Sequence, residues 1–277
     1  MTAIPIRKLN DGTALPAIGY GTPSVDAKRA EELFGLALDA GYRLIDTAQA
    51  YGNEDVVGRA VNRSSVPREE IRVQTKVPGR DHGYVETLKS FERSRAALDL
   101  DYVDIYLIHW PNPGYDKYVE TWRAMIELRD KGLVRSIGVC NFTYAFIERL
   151  ERETGVLPAL NQVERHPLFP NADQVRFDTA RGIATESWSP LGRGHAFIGE
   201  PEIERAAAAH GVTPGQVVLR WQVQGGSVPI PFSTRPERIV QNLDVFGFAL
   251  TREEMAAISG LERGRIWGQD PSETNYL

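Results

Sequence analysis

Short runs of consecutive apolar residues alternate along this chain with longer stretches whose apolar positions recur every three or four residues. That rhythm predicts buried parallel strands, each followed by an amphipathic helix. The strands fall at 18–21, 44–46, 71–76, 102–108, 134–140, 160–163, 183–188 and 228–230. Helical periodicity covers 26–40, 53–62, 85–98, 118–131, 144–153, 172–180, the pair 201–210 and 214–224, then 236–244 and 251–261. Gly41, Gly132 and Gly182 each follow a predicted helix, where a left-handed terminal residue is favoured.

Eight strand–helix units predict an α/β fold of the (β/α)8 TIM barrel type. Ahead of them, apolar segments at 4–8 and 13–16 flank Asn10, Asp11 and Gly12, a hairpin signal, and the hairpin is expected to close the bottom of the barrel. No Ser/Gly linker, charge block or internal repeat divides the 277 residues, so 1–277 reads as a single domain. Residues 263–277 form a tail carrying Trp267 and Tyr276, which either folds over the rim or packs on the surface.

With 42% hydrophobic and 25% charged residues the chain has a globular composition. A net charge of −5 gives no reason to expect nucleic acid or an anionic membrane as partner. No apolar run reaches the ~18 residues of a membrane span, and the first residues lack a signal-peptide core, so a cytoplasmic protein is expected. The single cysteine, Cys140, ends a valine-rich strand and reads as a packed thiol. No metal site is expected. Helix faces are accounted for by barrel packing, which points to a monomer.

The chemistry gathers at the carboxyl ends of the strands, where such barrels display it. Asp46, Lys76 and His109 stand at three of these ends, and Tyr51 follows Asp46 by five residues. A phenol is a poor acid at neutral pH, with an ordinary pKa of about 10, unless a neighbouring ammonium stabilises the phenolate. Lys76 is the candidate for that task, Asp46 would hold it charged, and a neutral His109 would polarise a substrate carbonyl. At other strand ends, Asn141 and Gln162 offer amides suited to a carboxamide and Trp188 a flat face for a ring. Ser233, Arg235 and Arg238 form an anion site at a helix start. A nicotinamide nucleotide fits all three features. No complete Gly-x-Gly-x-x-Gly follows a strand, since 19–24 and 192–197 both fail at the last position, which disfavours a Rossmann site.

Two other classes use similar parts. A Schiff-base barrel lyase would take Lys76 as nucleophile but has no use for a carboxylate that keeps the lysine cationic. A non-enzymatic, nucleotide-sensing regulatory barrel would keep the nucleotide site and turn over little.

Through Gly41-Tyr-Arg-Leu-Ile-Asp-Thr-Ala, Asp104-Ile-Tyr-Leu-Ile-His-Trp-Pro and Glu186-Ser-Trp-Ser-Pro-Leu-Gly, the chain resembles the aldo-keto reductases over essentially its whole length. It lies closest to their bacterial 2,5-diketogluconate reductase branch. The resemblance implies NADPH-dependent reduction of aldehydes or ketones, with Tyr51 as proton donor and Asp46, Lys76 and His109 as the other catalytic positions. It implies a cofactor site that includes Asn141, Gln162, Trp188, Ser189, Leu191, Gly192 and Asn242 together with Gly21, Thr22, Thr234, Ser233, Arg235 and Arg238. Two positions of that site depart from the family pattern. Cys140 replaces a serine, and Phe232 replaces a lysine expected near the adenosine 2′-phosphate, which puts acceptance of NADH within reach. Tyr20, Pro78, Trp110, Trp267 and Tyr276 are the expected walls of the substrate pocket, suited to short aldehydes, dicarbonyls, keto sugars or keto acids.

Overall fold

The fold was analysed in a computed structural model that describes residues 3–23, 25, 27–194 and 196–276. Asp26, the expected first residue of the first helix, and Leu277, the last of the tail, lie outside the described residues. The hairpin comes first, as strands β1 (Ile6–Lys8) and β2 (Ala14–Pro16), paired antiparallel around a turn in which Gly12 takes a φ of 87°. The barrel strands follow as β3 (Tyr20–Gly21), β4 (Leu44–Asp46), β5 (Arg72–Val77), β6 (Val103–Ile108), β7 (Val134–Cys140), β8 (Leu160–Glu164), β9 (Ala184–Trp188) and β10 (Ser227–Ile230). Each pairs in parallel with the next in sequence order. The ring closes where Gly19 and Gly21 donate backbone hydrogen bonds of 3.1 and 3.0 Å to Pro229 and Pro231. The (β/α)8 barrel is therefore the observed fold.

The helices between strands are α1 (Ala27–Ala40), α2 (Glu54–Arg63), α3 (Tyr84–Leu98), α4 (Tyr118–Asp130), α5 (Tyr144–Thr154), α6 (Ala172–Ala180), α7 (Pro201–His210) and α8 (Pro214–Gln224). After β10 come α9 (Pro236–Leu243) and α10 (Arg252–Ser259). Thr213 and Thr251 start α8 and α10 with capping boxes completed by Gln216 and Glu254, which satisfies backbone donors that a helix start leaves open.

Strand alternation sorts side chains into two layers. Outward residues such as Ile45, Val73, Tyr106, Val139 and Tyr20 join the apolar layer between barrel and helices. Inward residues fill the lumen, and its apolar part holds Leu44, Ile105, Leu107, Leu160, Ala184, Val228 and Ile230. Leu9 and Leu15 of the hairpin belong to the same cluster, so the hairpin seals the amino-terminal end of the barrel as expected. Asn10 donates to the Pro158 carbonyl at 3.0 Å and Ser136 to Asp11 at 2.5 Å, tying the hairpin turn to that rim. Two residues further along the same inward rows, the lumen turns polar.

Candidate active site

Asp46 lies two residues beyond Leu44, Cys140 two beyond Gly138, Gln162 two beyond Leu160, and Glu186 two beyond Ala184. Period-two alternation therefore brings them toward one level of the lumen, where Gln74 of β5 pairs with Asp46, and Lys76 follows one inward step further along β5. Lys76 has no solvent exposure and donates to Asp46 Oδ1 at 2.5 Å and to the Thr47 carbonyl at 2.9 Å. Burial is the largest single influence and works to strip its proton, but Asp46, Tyr51 and Cys140 together outweigh it, so its pKa ends above that of ordinary lysine. It is a fixed cation.

Tyr51 sits in a single 3₁₀ turn, Gln49–Tyr51, just ahead of α2, terminated by Gly52 in the left-handed conformation. This turn brings its ring to 5.2 Å from the Lys76 ammonium and 5.9 Å from the His109 ring, edge to face. Burial pushes the phenol's pKa up. Lys76 pulls it down, as the sequence led us to expect, but Asp46 adds to the rise and the net direction is upward. Tyr51 is thus a protonated phenol at neutral pH. For His109, burial with Lys76 and His82 nearby pushes the imidazole down to about 3, so it is neutral through the physiological range. Its Nδ1 is buried without a partner among the described residues.

Asn141 follows β7 with a φ of 61°, and Ser189 follows β9 with a φ of 47°, left-handed conformations that non-glycine residues seldom adopt. Both ends of the Asn141 side chain are engaged: Nδ2 donates to the His109 carbonyl at 3.2 Å, and Oδ1 accepts from Trp188 Nε1 at 2.8 Å. Gln162 Nε2 donates to Asp46 and Glu186, which leaves its Oε1 toward the Cys140 thiol 4.0 Å away. Burial holds that thiol well above its ordinary pKa, in keeping with a packed, neutral cysteine. Thr22 is buried and donates to the Asp46 carbonyl at 3.0 Å, and Gly21 comes so close to Ile230 that a Cβ would stand 3.2 Å from its Cγ2.

Beside these groups runs a cavity of about 660 Å³. It gathers Ser189, Leu191, Phe232, Ser233, Thr234, Arg235, Arg238 and Asn242 from the expected cofactor set, while Gly192 is buried in the loop below. Arg235 and Arg238 are exposed at the start of α9, where a helix N-terminus adds positive potential. Arg193, Thr213 and Gln241 also line the cavity, and the strand-end pattern marks none of the three. Arg193 in particular sits in a loop with no apolar run to signal it.

The expected pocket walls divide. Tyr276 reaches the site: its ring lies 5.7 Å from His109 and 5.9 Å from Trp110, and its backbone N–H donates to Asn112 at 2.6 Å. Trp267 lies 5.0 Å from Trp188 and 5.7 Å from His166. The tail therefore folds over the rim. Pro78 and Trp110 are buried beside it. Tyr20 is not a wall. Alternation turns it outward, 1% exposed against Phe34, Tyr42 and Phe232, with its hydroxyl donating to the Ser233 carbonyl at 2.8 Å. It supports the cavity from behind.

A closed eight-stranded parallel barrel with a lysine–carboxylate pair, a phenol and a neutral imidazole at its carboxyl mouth defines a barrel enzyme with acid–base chemistry. Residues 12–263 match the Aldo/keto reductase family, and the chain belongs to it. It is an oxidoreductase of the class that acts on small carbonyl compounds. It is 52% identical to a 2,5-diketo-D-gluconic acid reductase B of Corynebacterium sp. (strain SHS752001), over 98% of both chains. It is 43% identical to a methylglyoxal reductase of Yersinia pestis, also over 98% of both. The crystal structure of a Gox0644 mutant in complex with NADPH superimposes with a TM-score of 0.94 at 40% identity, covering 99% of this chain and all of that one. Among the described residues no helix is long and apolar enough to cross a membrane.

Proposed function

We propose that this chain reduces aldehydes and ketones, dicarbonyls and keto sugars or acids foremost, with NADPH as the hydride source and Tyr51 as the proton donor. The observation that carries the reading is the buried Lys76–Asp46 pair, whose ammonium stands 5.2 Å from the Tyr51 ring while neutral His109 stands 5.9 Å from the same ring. Such a set favours proton transfer to an oxygen that gains electron density. His109 donates a hydrogen bond to the carbonyl oxygen and orients it. Tyr51 gives its proton to that oxygen, and Lys76 stabilises the phenolate left behind. Asp46 holds Lys76 cationic and in place.

The residues present fit the cofactor. Arg235, Arg238 and the start of α9 supply charge for its phosphates, Asn242 lies at the adenine end, Ser189 and Leu191 line the opposite wall, and Trp188, which precedes them at the end of β9, offers a face to the nicotinamide ring. Gln162, with both amide hydrogens taken, offers its Oε1 as acceptor to a carboxamide. Bound NADPH would supply the hydride. The relatives named as reductases and the NADPH complex of a structural neighbour support the same reading. Residues 1–277 act in it as one barrel domain and a monomer. Lys76 held cationic withholds the lone pair that a Schiff base needs, which weighs against a lyase.

Loss of NADPH absorbance across a panel of aldehydes, dicarbonyls and keto sugars tests the reading, with Tyr51→Phe as its control. The variant is expected to bind NADPH normally and to lose ~10²- to 10⁴-fold in kcat. Full turnover by Tyr51→Phe would remove Tyr51 from its role, and a wild-type protein that binds NADPH without turnover would favour a regulatory barrel.

A further inference from the structure

Below the catalytic groups the lumen holds a second carboxyl group that the proposed reaction leaves without a task. Glu186, on β9, has no solvent exposure. Two amide groups bridge it to Asp46. Gln74 Nε2 donates to Asp46 Oδ1 at 2.7 Å and to Glu186 Oε2 at 2.8 Å, and Gln162 Nε2 donates to the same two oxygens at 3.2 and 2.9 Å. Asp46 Oδ1 also accepts from Lys76.

Counting charge at this level of the barrel gives two carboxyl groups and one ammonium. Of the other titratable groups facing them, Cys140 and Tyr51 are held neutral by burial, and Glu54, which acts on Lys76 from α2, is itself pushed up by burial and accepts from Thr75 at 2.5 Å. Of the flanking strands, β10 presents no titratable side chain, and on β8 Glu164 is engaged at the rim by His166 and Arg265. One negative charge would thus stay buried and uncompensated unless a carboxyl carries a proton. The ammonium lies on Asp46, which leaves the proton to Glu186. Two buried oxygens agree with this: Glu186 Oε1 and Gln74 Oε1 are both without a partner among the described residues. A proton on Glu186 turns the first into a donor. Burial, with Asp46 adding to it, pushes the Glu186 pKa up to about 7.

We propose that Glu186 is a positioning residue that carries a proton in the reductively active enzyme, and that losing this proton to solvent weakens Tyr51 as an acid. The inference rests on the assignment of Tyr51, Lys76 and Asp46 made above. Ionised Glu186 competes with Asp46 for the same amide donors and sets a second negative charge near Lys76. The positive field that stabilises the Tyr51 phenolate falls accordingly. Reduction therefore declines as pH rises through neutrality.

The pH dependence of kcat/KM for carbonyl reduction, wild type against Glu186→Gln, is the test. Glutamine keeps the shape and accepts from the same amides but cannot ionise. Wild type is expected to lose activity by ~10-fold across neutral pH, the effect of about one pKa unit on the phenol. Glu186→Gln should match wild type at pH 6 and lack this limb. Asp178→Asn, which removes another buried acid on the outer side of β9, where it accepts from Thr185 at 3.0 Å, should keep it. Difference infrared spectroscopy of the enzyme alone should find, besides the contribution that Asp178→Asn removes, a protonated carboxyl band that disappears across neutrality and is missing in Glu186→Gln. This band reports on Glu186 even if Tyr51→Phe proves active, so failure of the earlier assignment and failure of this one are told apart. A wild-type profile without a limb near neutrality, an unchanged limb in Glu186→Gln, or no protonated band at pH 6 that Glu186→Gln removes would each overturn the proposal.

Discussion

At the scale of single residues, Phe232 shapes the end of the cavity proposed for the cofactor phosphates. Its half-buried ring lies 6.3 Å from that of Tyr20 and offers no charge, so the cations that line this end are Arg235 just before α9, Arg238 on it and Arg193, with Arg29 reaching the Thr234 carbonyl from α1. A 2′-phosphate held by one fewer cation should be discriminated less sharply from a bare ribose, by about 1 to 2 kcal/mol. Phe232→Lys is expected to raise the ratio of kcat/KM for NADPH over NADH by roughly 10-fold, the same quantity expressed as a rate ratio. An unchanged ratio in steady-state assays would count against Phe232 as the cause. Residue chemistry of this kind is legible in the sequence, because Phe232, Lys76 and His109 stand at strand ends that the apolar runs mark. Gln74 and Glu186 are not legible in the same way. Each sits inside a strand, and only the shared level of the lumen reveals that one amide of β5 reaches carboxyl groups on β4 and β9.

At the scale of elements, the tail is held by a short-range lock. The Asn112 side chain accepts from the Tyr276 backbone, Gly114 donates to Asn275 at 2.9 Å, and Gly79 lies directly beneath. A Cβ on Gly79 would come within 2.0 Å of Asn112 Nδ2 and 2.1 Å of the Tyr276 carbonyl oxygen, closer than any packed atoms allow. Gly79→Ala should therefore lift the tail from His109 and Trp110 while leaving the barrel folded. The expected outcome is a KM for bulky carbonyls raised several-fold with Tm lowered by only a few degrees, measured by steady-state kinetics and thermal denaturation. Unchanged KM would mean that the tail does not shape the pocket. The sequence left two places for this tail because contacts between residues more than 150 positions apart have no local signature. It likewise missed the 3₁₀ turn that carries Tyr51, since three residues are too few to show a period.

At the scale of the whole molecule, two buried acids make stability depend on pH in an uncommon direction. Burial pushes both Asp178 and Glu186 up to about 7, well above their unfolded values of about 4. Between those limits the folded state binds more protons than the unfolded one, so their contribution is fully present below about pH 4 and is lost as pH rises through about 7. Folding should thus be more stable at pH 6 than at pH 8 by on the order of 1 kcal/mol or more. Thermal denaturation at the two values should show a Tm difference that shrinks in Asp178→Asn and again in Glu186→Gln. A wild-type Tm equal at both would contradict the assignment of buried, proton-binding acids.

The sequence by itself determined the barrel, the order of its strands and the identity of Asp46, Tyr51, Lys76 and His109 as a group. Apolar runs and helical periods are local quantities, and in a barrel of consecutive parallel strands each run meets its neighbour in chain order. Tertiary structure decided which way each strand residue faces. It turned Tyr20 outward to support Phe232, drew Tyr276 over His109, and set Glu186 beside Asp46 across the lumen. Those outcomes depend on strand register and barrel closure, which fix distances between residues that the chain alone keeps far apart.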